Sequence, residues 1–205
     1  VWIVETDVRP VVVKRFLSGR CGHEFEALLQ AKQAGLNVPY PLHIASDYLV
    51  TEYLEGESCD ILINHMFSIE AADGIGRWLA LFHQKLGDGI NRKLMADAVL
   101  SNFILHEGSV YGLDLEDSCL GDPLDDVGRA AASILGSEPF FTPIKFDLCH
   151  RMIASYSEAS NSDIMQAVRP FVSKHIRIDA SRKPLFRRTF MAAARSLERQ
   201  WPELA

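Results

Sequence analysis

Cysteine is scarce in this 205-residue chain. Cys21, Cys59, Cys119 and Cys149 are scattered, and no CxxC pair occurs. That spacing argues against a zinc site and fits reduced thiols in a cytoplasmic protein. Long apolar runs are missing too: no segment approaches the roughly 20 residues that a membrane span needs. The first residues lack the basic-then-apolar order of a secretory signal. Basic excess is absent, since 21 Lys and Arg stand against 27 Asp and Glu for a net charge of −6; bulk attraction to nucleic acid is not expected. There is no internal repeat, no low-complexity segment and no heptad seam, so oligomeric state stays open. Val1 in place of a methionine suggests a natural start further upstream.

What is present is ordinary globular composition, 48% hydrophobic and 23% charged, enough for one large domain or two small lobes. "VWIVETD" and "VVVKRFL" read as two β-branched strands joined through Val8-Arg9-Pro10. "SGRCG" breaks the chain. "HEFEALLQAKQAG" has helical periodicity with Gly35 as its stop. "NVPYPL" is extended, and "YLVTEYLEGE" is a strand that leaves into a turn at Gly56. Residues 68–86 predict a strong helix with Ile69, Ile75, Trp78, Leu79, Leu81, Phe82 and Leu86 on or near one face. Helices are expected at 124–136, 143–159, 162–175 and 184–199. The expectation is an α+β protein: residues 1–56 a small lobe of strands and one helix, residues 57–205 a helical lobe, with the joint near Glu52–Glu57. A cleft between lobes is a favoured ligand site.

The informative stretch is "MADAVLSNFILHEGSVYGLDLED", Met95–Asp117. "FIL" and "VYGLD" flanking "HEGS" predict a hairpin turning at Gly108. A hairpin brings its ends together, so Asn102, just before the first strand, and Asp114, ending the second, should meet at one rim. An amide oxygen and a carboxylate are hard donors suited to Mg²⁺ carrying a phosphate chain. Asp97, one loop earlier, is placed to accept a hydroxyl proton.

These residues resemble the catalytic loop and metal segment of the protein kinase-like fold, in the variant of the aminoglycoside phosphotransferases and choline kinases. That pattern is His-Gly-Asp-x₄-Asn, then Ile-Asp, then Gly-Asp-Pro-x₂-Asp; here stand Met95-Ala96-Asp97, Asn102, Leu113-Asp114 and Gly121-Asp122-Pro123-Leu124-Asp125 with Asp126 at the final position. "VVVKRF" resembles the strand of the phosphate-binding lysine. "EFEALLQAKQAGLNVPYPL" resembles the Glu-bearing helix and its extension, and "LVTEYLEG" the hinge. "LALFHQKL" resembles the helix that precedes the catalytic loop. The resemblance covers about residues 1–136. It implies a bilobal kinase-like fold, small antiparallel-sheet N-lobe and mainly helical C-lobe, working on ATP with Mg²⁺. Lys14 would bind phosphates and Glu24 would pair with it, Glu26 being the fallback. Main-chain groups near Thr51, Glu52 and Tyr53 would take adenine, Asn102 and Asp114 the metal, and Asp97 the acceptor hydroxyl of a small molecule.

The chain departs from that pattern in three places. Met95 stands where the family has a largely structural histidine, which bears on loop geometry more than on chemistry. No glycine-rich turn precedes Lys14, and the sequence opens at what resembles the second N-lobe strand. The interval before Asp97 is short, like that of compact RIO and Bud32-type kinases. Alternatives therefore stand beside the phosphotransferase: a nucleotide-binding pseudokinase, or a compact protein Ser/Thr kinase. Asp122, Asp125 and Asp126 are expected to be structural, Asp125 or Asp126 capping a helix near Val127 or bracing the catalytic loop. His83 is expected to be packed. Residues 91–126 hold eight acids against Arg92 and Lys93; metal ligands and caps account for most, and attraction of a cationic acceptor is the sharper alternative. The basic stretch 182–199 reads as a solvated helix face.

Overall fold

β-Branched residues at the start of the chain form two strands that pair into one sheet with two later strands. The computed structural model describes residues 1–17, 19–87, 91–199 and 201. In it β1 (Trp2–Val4), β2 (Val11–Arg15), β3 (Pro41–Ile44) and β4 (Tyr48–Glu52) form an antiparallel sheet in the order β1-β2-β4-β3. In the β2–β4 register Val12 faces Thr51 and Lys14 faces Leu49. Opposed residues share a face of the pleat, so these four side chains look the same way. α1 (Cys21–Gln33) supplies Glu24, Ala27, Leu28 and Ala31 as its buried stripe, the i, i+3, i+4, i+7 pattern of one helix face. Gly35, with φ +70°, follows as the expected stop. Ser18 of the expected break lies outside the described residues.

The rest is mainly helical. Ser58 caps α2 (Cys59–His65) and Ser68 caps α3 (Ile69–Lys85), each hydroxyl accepting a main-chain N–H left open by the first helical turn. Two small sheets follow: β5 (Glu57–Ser58) pairs with the hairpin β7 (Phe103–His106) and β8 (Ser109–Gly112), and β6 (Arg92–Leu94) pairs with β9 (Cys119–Gly121). Then come α4 (Pro123–Leu135), α5 (Pro143–Ser160), α6 (Arg169–Arg182) and α7 (Arg187–Arg199). α3 and α5 form the centre of the core, with Ile75, Trp78, Leu79 and Phe82 against Leu148, Met152 and Ile153. Among the described residues no helix is long and apolar enough to cross a membrane.

Several boundaries differ from expectation for local reasons. α4 begins at Pro123 and its cap is Asp122, whose Oδ1 accepts from Leu124 N; neither Asp125 nor Asp126 caps it, because proline is best tolerated in the first turn and the acid before it takes the cap. α6 spans Arg169–Arg182 rather than 162–175: Pro170 is tolerated only in a first turn, and the apolar residues Ile164, Met165 and Val168 belong to the approach to the helix. The lysine strand stops at Arg15, leaving Leu17 exposed. On α3, Ile69 and Leu81 lie outside the buried face. The short β3, β5, β6, β9 and α2 escaped periodicity altogether, being two to seven residues long.

Candidate active site

Lys14 extends from the sheet toward α1, where only the buried face can meet it. Its Nζ lies 2.8 Å from Oε2 of Glu24. Glu26, two residues along the helix, points to solvent. The same Nζ lies 2.8 Å from Oδ1 of Asp114 and 3.7 Å from Oε2 of Glu116. Burial alone would lower the lysine pKa, but the attraction of Glu24 and Asp114 outweighs it and pushes it up. Burial raises the Glu24 carboxyl to about 7 against the pull of Lys14, with Asp114 and Glu116 adding like-charge repulsion. One ligand oxygen from each of Glu24, Asp114 and Glu116 lies within 4.8 Å of the others. Glu116 was absent from the expected site; its signal was only its place two residues beyond Asp114.

The hairpin delivers Asp114. His106 pairs with Ser109, so Glu107 and Gly108 form a two-residue turn, both with positive φ (48° and 71°), as a type I′ turn requires. At the other end Phe103 pairs with Gly112, and Leu113 N donates to Asn102 O at 2.8 Å. Asn102 and Leu113 thus stand opposite each other. The strand closes at Gly112, and Asp114 lies beyond it at φ +58°. That left-handed conformation is uncommon for a residue with a Cβ, and it accompanies the turn that sends the carboxylate to Lys14.

The loop from Met95 to Asn102 is held mostly through its main chain. Ala96 also has positive φ, 68°. Buried Asp126 accepts from Met95 N at 2.6 Å and from Ala96 N at 2.9 Å, and its Oδ2 lies 3.1 Å from His83 Nε2. His83 in turn meets the Tyr156 hydroxyl at 3.0 Å. Asp126 therefore braces the loop where methionine replaces the expected histidine. Asn102 Nδ2 donates to the Asp97 carbonyl at 2.9 Å, which leaves its Oδ1 as an acceptor. Asp97 is half-exposed; its Oδ1 lies 3.6 Å from Arg129 Nε.

A cavity of about 370 Å³ lies over this cluster. Lys14, Glu24, Asn102 and Asp114 make its polar end. Val12, Leu54, Ile104 and Leu113 line the apolar part, with Thr51, Glu52 and Tyr53 along one edge. Asp97 is not among the lining residues and connects to the cavity through Asn102. Glu52 also takes part in the sheet. Its N–H donates to Tyr40 O, and its Oε1 accepts from Tyr40 N and from Lys32; Glu52 serves the β3–β4 edge. Lobe-to-lobe ties missed by sequence reasoning include His23 Nε2 at 2.9 Å from Ser118 O, the contact of Arg20 with Asp117, and Asn37 O accepting from both Trp78 Nε1 and Gly112 N.

No protein-family model matches the chain. Over 124 residues it is 28% identical to the KEOPS complex subunit Bud32 of Pyrococcus abyssi (strain GE5 / Orsay), a match of 58% of this chain and 54% of that protein. The chain thus spans about half the length of this curated relative. Among solved structures it resembles the amicoumacin kinase hAmiN in complex with AMP-PNP, Ca²⁺ and Ami, with TM-score 0.68, 11% identity, and 87% of this chain and 75% of that chain covered. A choline/ethanolamine kinase family protein from Mesorhizobium loti gives TM-score 0.67 at 14% identity, covering 91% and 82%. The choline kinase LicA from Streptococcus pneumoniae gives 0.59 at 17% identity, covering 83% and 77%. The fold is the bilobal protein kinase-like one, a small antiparallel sheet with its helix above a mainly helical lobe.

Proposed function

We propose that this chain is an ATP- and Mg²⁺-dependent phosphotransferase that moves the γ-phosphoryl group to a hydroxyl of a small molecule. One observation carries the reading. Lys14 is held between Glu24 and Asp114 in a cavity whose lining is otherwise mostly apolar and includes Thr51, Glu52 and Tyr53 at the end of β4. Such a slot suits a flat base at one end and a phosphate chain at the other. In phosphoryl transfer the protein mainly positions and neutralises charge. Lys14, oriented by Glu24, contacts the phosphates. Asn102 Oδ1 and the Asp114 carboxylate fit a hard cation as an amide and an acid on one rim; Mg²⁺ held there would neutralise charge on the phosphate oxygens. Asp97 orients the acceptor hydroxyl and takes its proton as that oxygen bonds to phosphorus. ADP leaves with the electron pair of the broken bond. The four free thiols, three of them buried, fit a cytoplasmic setting.

A second reading, a compact kinase acting on a protein hydroxyl, is favoured by the similarity to Bud32. ATP consumption measured with and without Mg²⁺, against aminoglycosides, choline, other hydroxyl metabolites and a protein substrate, separates the two. The Asp97→Asn variant should lose about 10²–10⁴-fold in turnover while still binding ATP. Metal-dependent nucleotide binding without turnover on any acceptor would leave a pseudokinase instead.

A further inference from the structure

We infer that Arg129 is a positioning residue for the Asp97 carboxylate, and that α6 sets Arg129 through Asp179. This rests on the reading of Asp97 as the proton acceptor. The loop Asp97-Ala98-Val99-Leu100-Ser101-Asn102 contains no basic side chain. The cation beside Asp97 comes from α4. Arg129 Nε lies 3.6 Å from Asp97 Oδ1, and Arg129 Nη1 lies 3.1 Å from both carboxylate oxygens of Asp179 on α6. One planar guanidinium therefore addresses two acids, a geometry that an ammonium cannot reproduce. Asp97 Oδ2 lies 3.5 Å from Asn102 Nδ2. The two oxygens of the base thus face different groups, and the plane of the carboxylate is defined.

That definition matters because Asp97 is 49% exposed by side chain whereas Arg129 is only 12% exposed. A half-exposed acid has little packing to stop it turning, and misplacement of a reacting group by about 1 Å can cost on the order of 10²-fold in rate. The brace works because the helices touch. A Cβ at Gly128 would sit 2.5 Å from Phe171 Cβ and 3.0 Å from Val172 N, so glycine lets α6 close on α4. Two polar rungs then cross between them. Asp125 Oδ1 meets His175 Nε2 at 2.8 Å and Lys174 Nζ at 2.7 Å. One helical turn further on both helices, Arg129 meets Asp179. Only the second rung reaches the catalytic loop, so the first supplies an internal comparison.

The experiment measures Mg-ATP turnover onto water and onto any stimulating acceptor, ATP affinity by titration, and melting temperature. It uses the full chain and the variants Arg129→Gln, Arg129→Lys, Asp179→Asn and His175→Gln. Arg129→Gln is expected to lower kcat by about 10²-fold with ATP affinity unchanged. Arg129→Lys should recover part of that loss, and Asp179→Asn should lose less in the same direction. His175→Gln should lower melting temperature without the kcat loss. Unchanged kcat in Arg129→Gln, or an equal loss in His175→Gln, overturns the inference. If Arg129→Gln does not fold, the Arg129→Lys and Asp179→Asn values decide by the same criteria. Asp97→Asn run alongside separates the two claims. An active Asp97→Asn removes the base assignment itself, whereas an inactive one beside a fully active Arg129→Gln removes only the brace.

Discussion

Lys14 and Asp114, 100 residues apart in sequence, meet at 2.8 Å. The ammonium sits among the carboxylates of Glu24, Asp114 and Glu116, and its charge is what keeps the three acids together. Lys14→Met should lower ATP turnover by about 10²–10³-fold, the range for removing one preorganised group that stabilises transition-state charge. It should also lower melting temperature, and added Mg²⁺ should restore more of it in the variant than in the parent. A melting series with and without Mg²⁺ checks this. Equal Mg²⁺ responses would show that the three acids do not share a cation site.

Asp126 links the loop at Met95–Ala96 to the core. Replacing it with alanine leaves Met95 N without its acceptor and His83 without its carboxylate partner, at the end of α3. An expected loss of about 3 kcal/mol in unfolding free energy follows, with turnover falling as well because the loop loses its anchor. Asp122→Ala, which removes only a helix cap, should cost about 1 kcal/mol. Chemical denaturation of the two variants distinguishes brace from cap.

Lys145 is fully buried; its Nζ contacts Asn64 Oδ1 and lies 3.0 Å from Ser137 Oγ. Burial lowers its pKa from 10.5 to about 8, against a smaller opposing attraction from Asp60. Between pH 8 and 10.5 the unfolded chain binds a proton here that the folded chain has released, so folding gains stability as pH rises through that window. Below pH 8 both states are charged and the burial penalty is full. Urea unfolding of the parent and of Lys145→Met at pH 7, 8, 9 and 10 should show the parent's stability rising relative to the variant above pH 8. A constant difference would refute the shift.

Two glycines in helices should respond oppositely to alanine. At Gly76, a Cβ would lie 2.1 Å from Met152 O and 2.9 Å from Tyr156 N, where α3 crosses α5. Gly76→Ala should therefore destabilise by about 1–3 kcal/mol through overpacking. At Gly22 in α1 a Cβ meets nothing within 4 Å, and Gly22→Ala should stabilise by about 0.5–1 kcal/mol. Thermal unfolding of both reads the sign directly.

Local order in the chain was sufficient for α1, for α3, for the hairpin turning at Gly108, and for bringing Asn102 and Asp114 to one rim. Each depends on neighbouring residues: a period of 3.6 or 2, a cap, a glycine able to hold positive φ. The same order placed Lys14 on a strand and two acids on the helix that follows. The packed molecule decided which acid it meets. Glu24 lies on the buried stripe with Ala27, Leu28 and Ala31, and Glu26 does not. It also decided that Asp122 caps α4 while Asp126 holds the loop at Met95–Ala96, and that Arg129 stands between Asp97 and Asp179. Those choices depend on how closely α4 approaches the loop and α6. That approach is set by residues such as Gly128, which has no side chain, and Phe171, which packs against it, and no local period in the sequence records it.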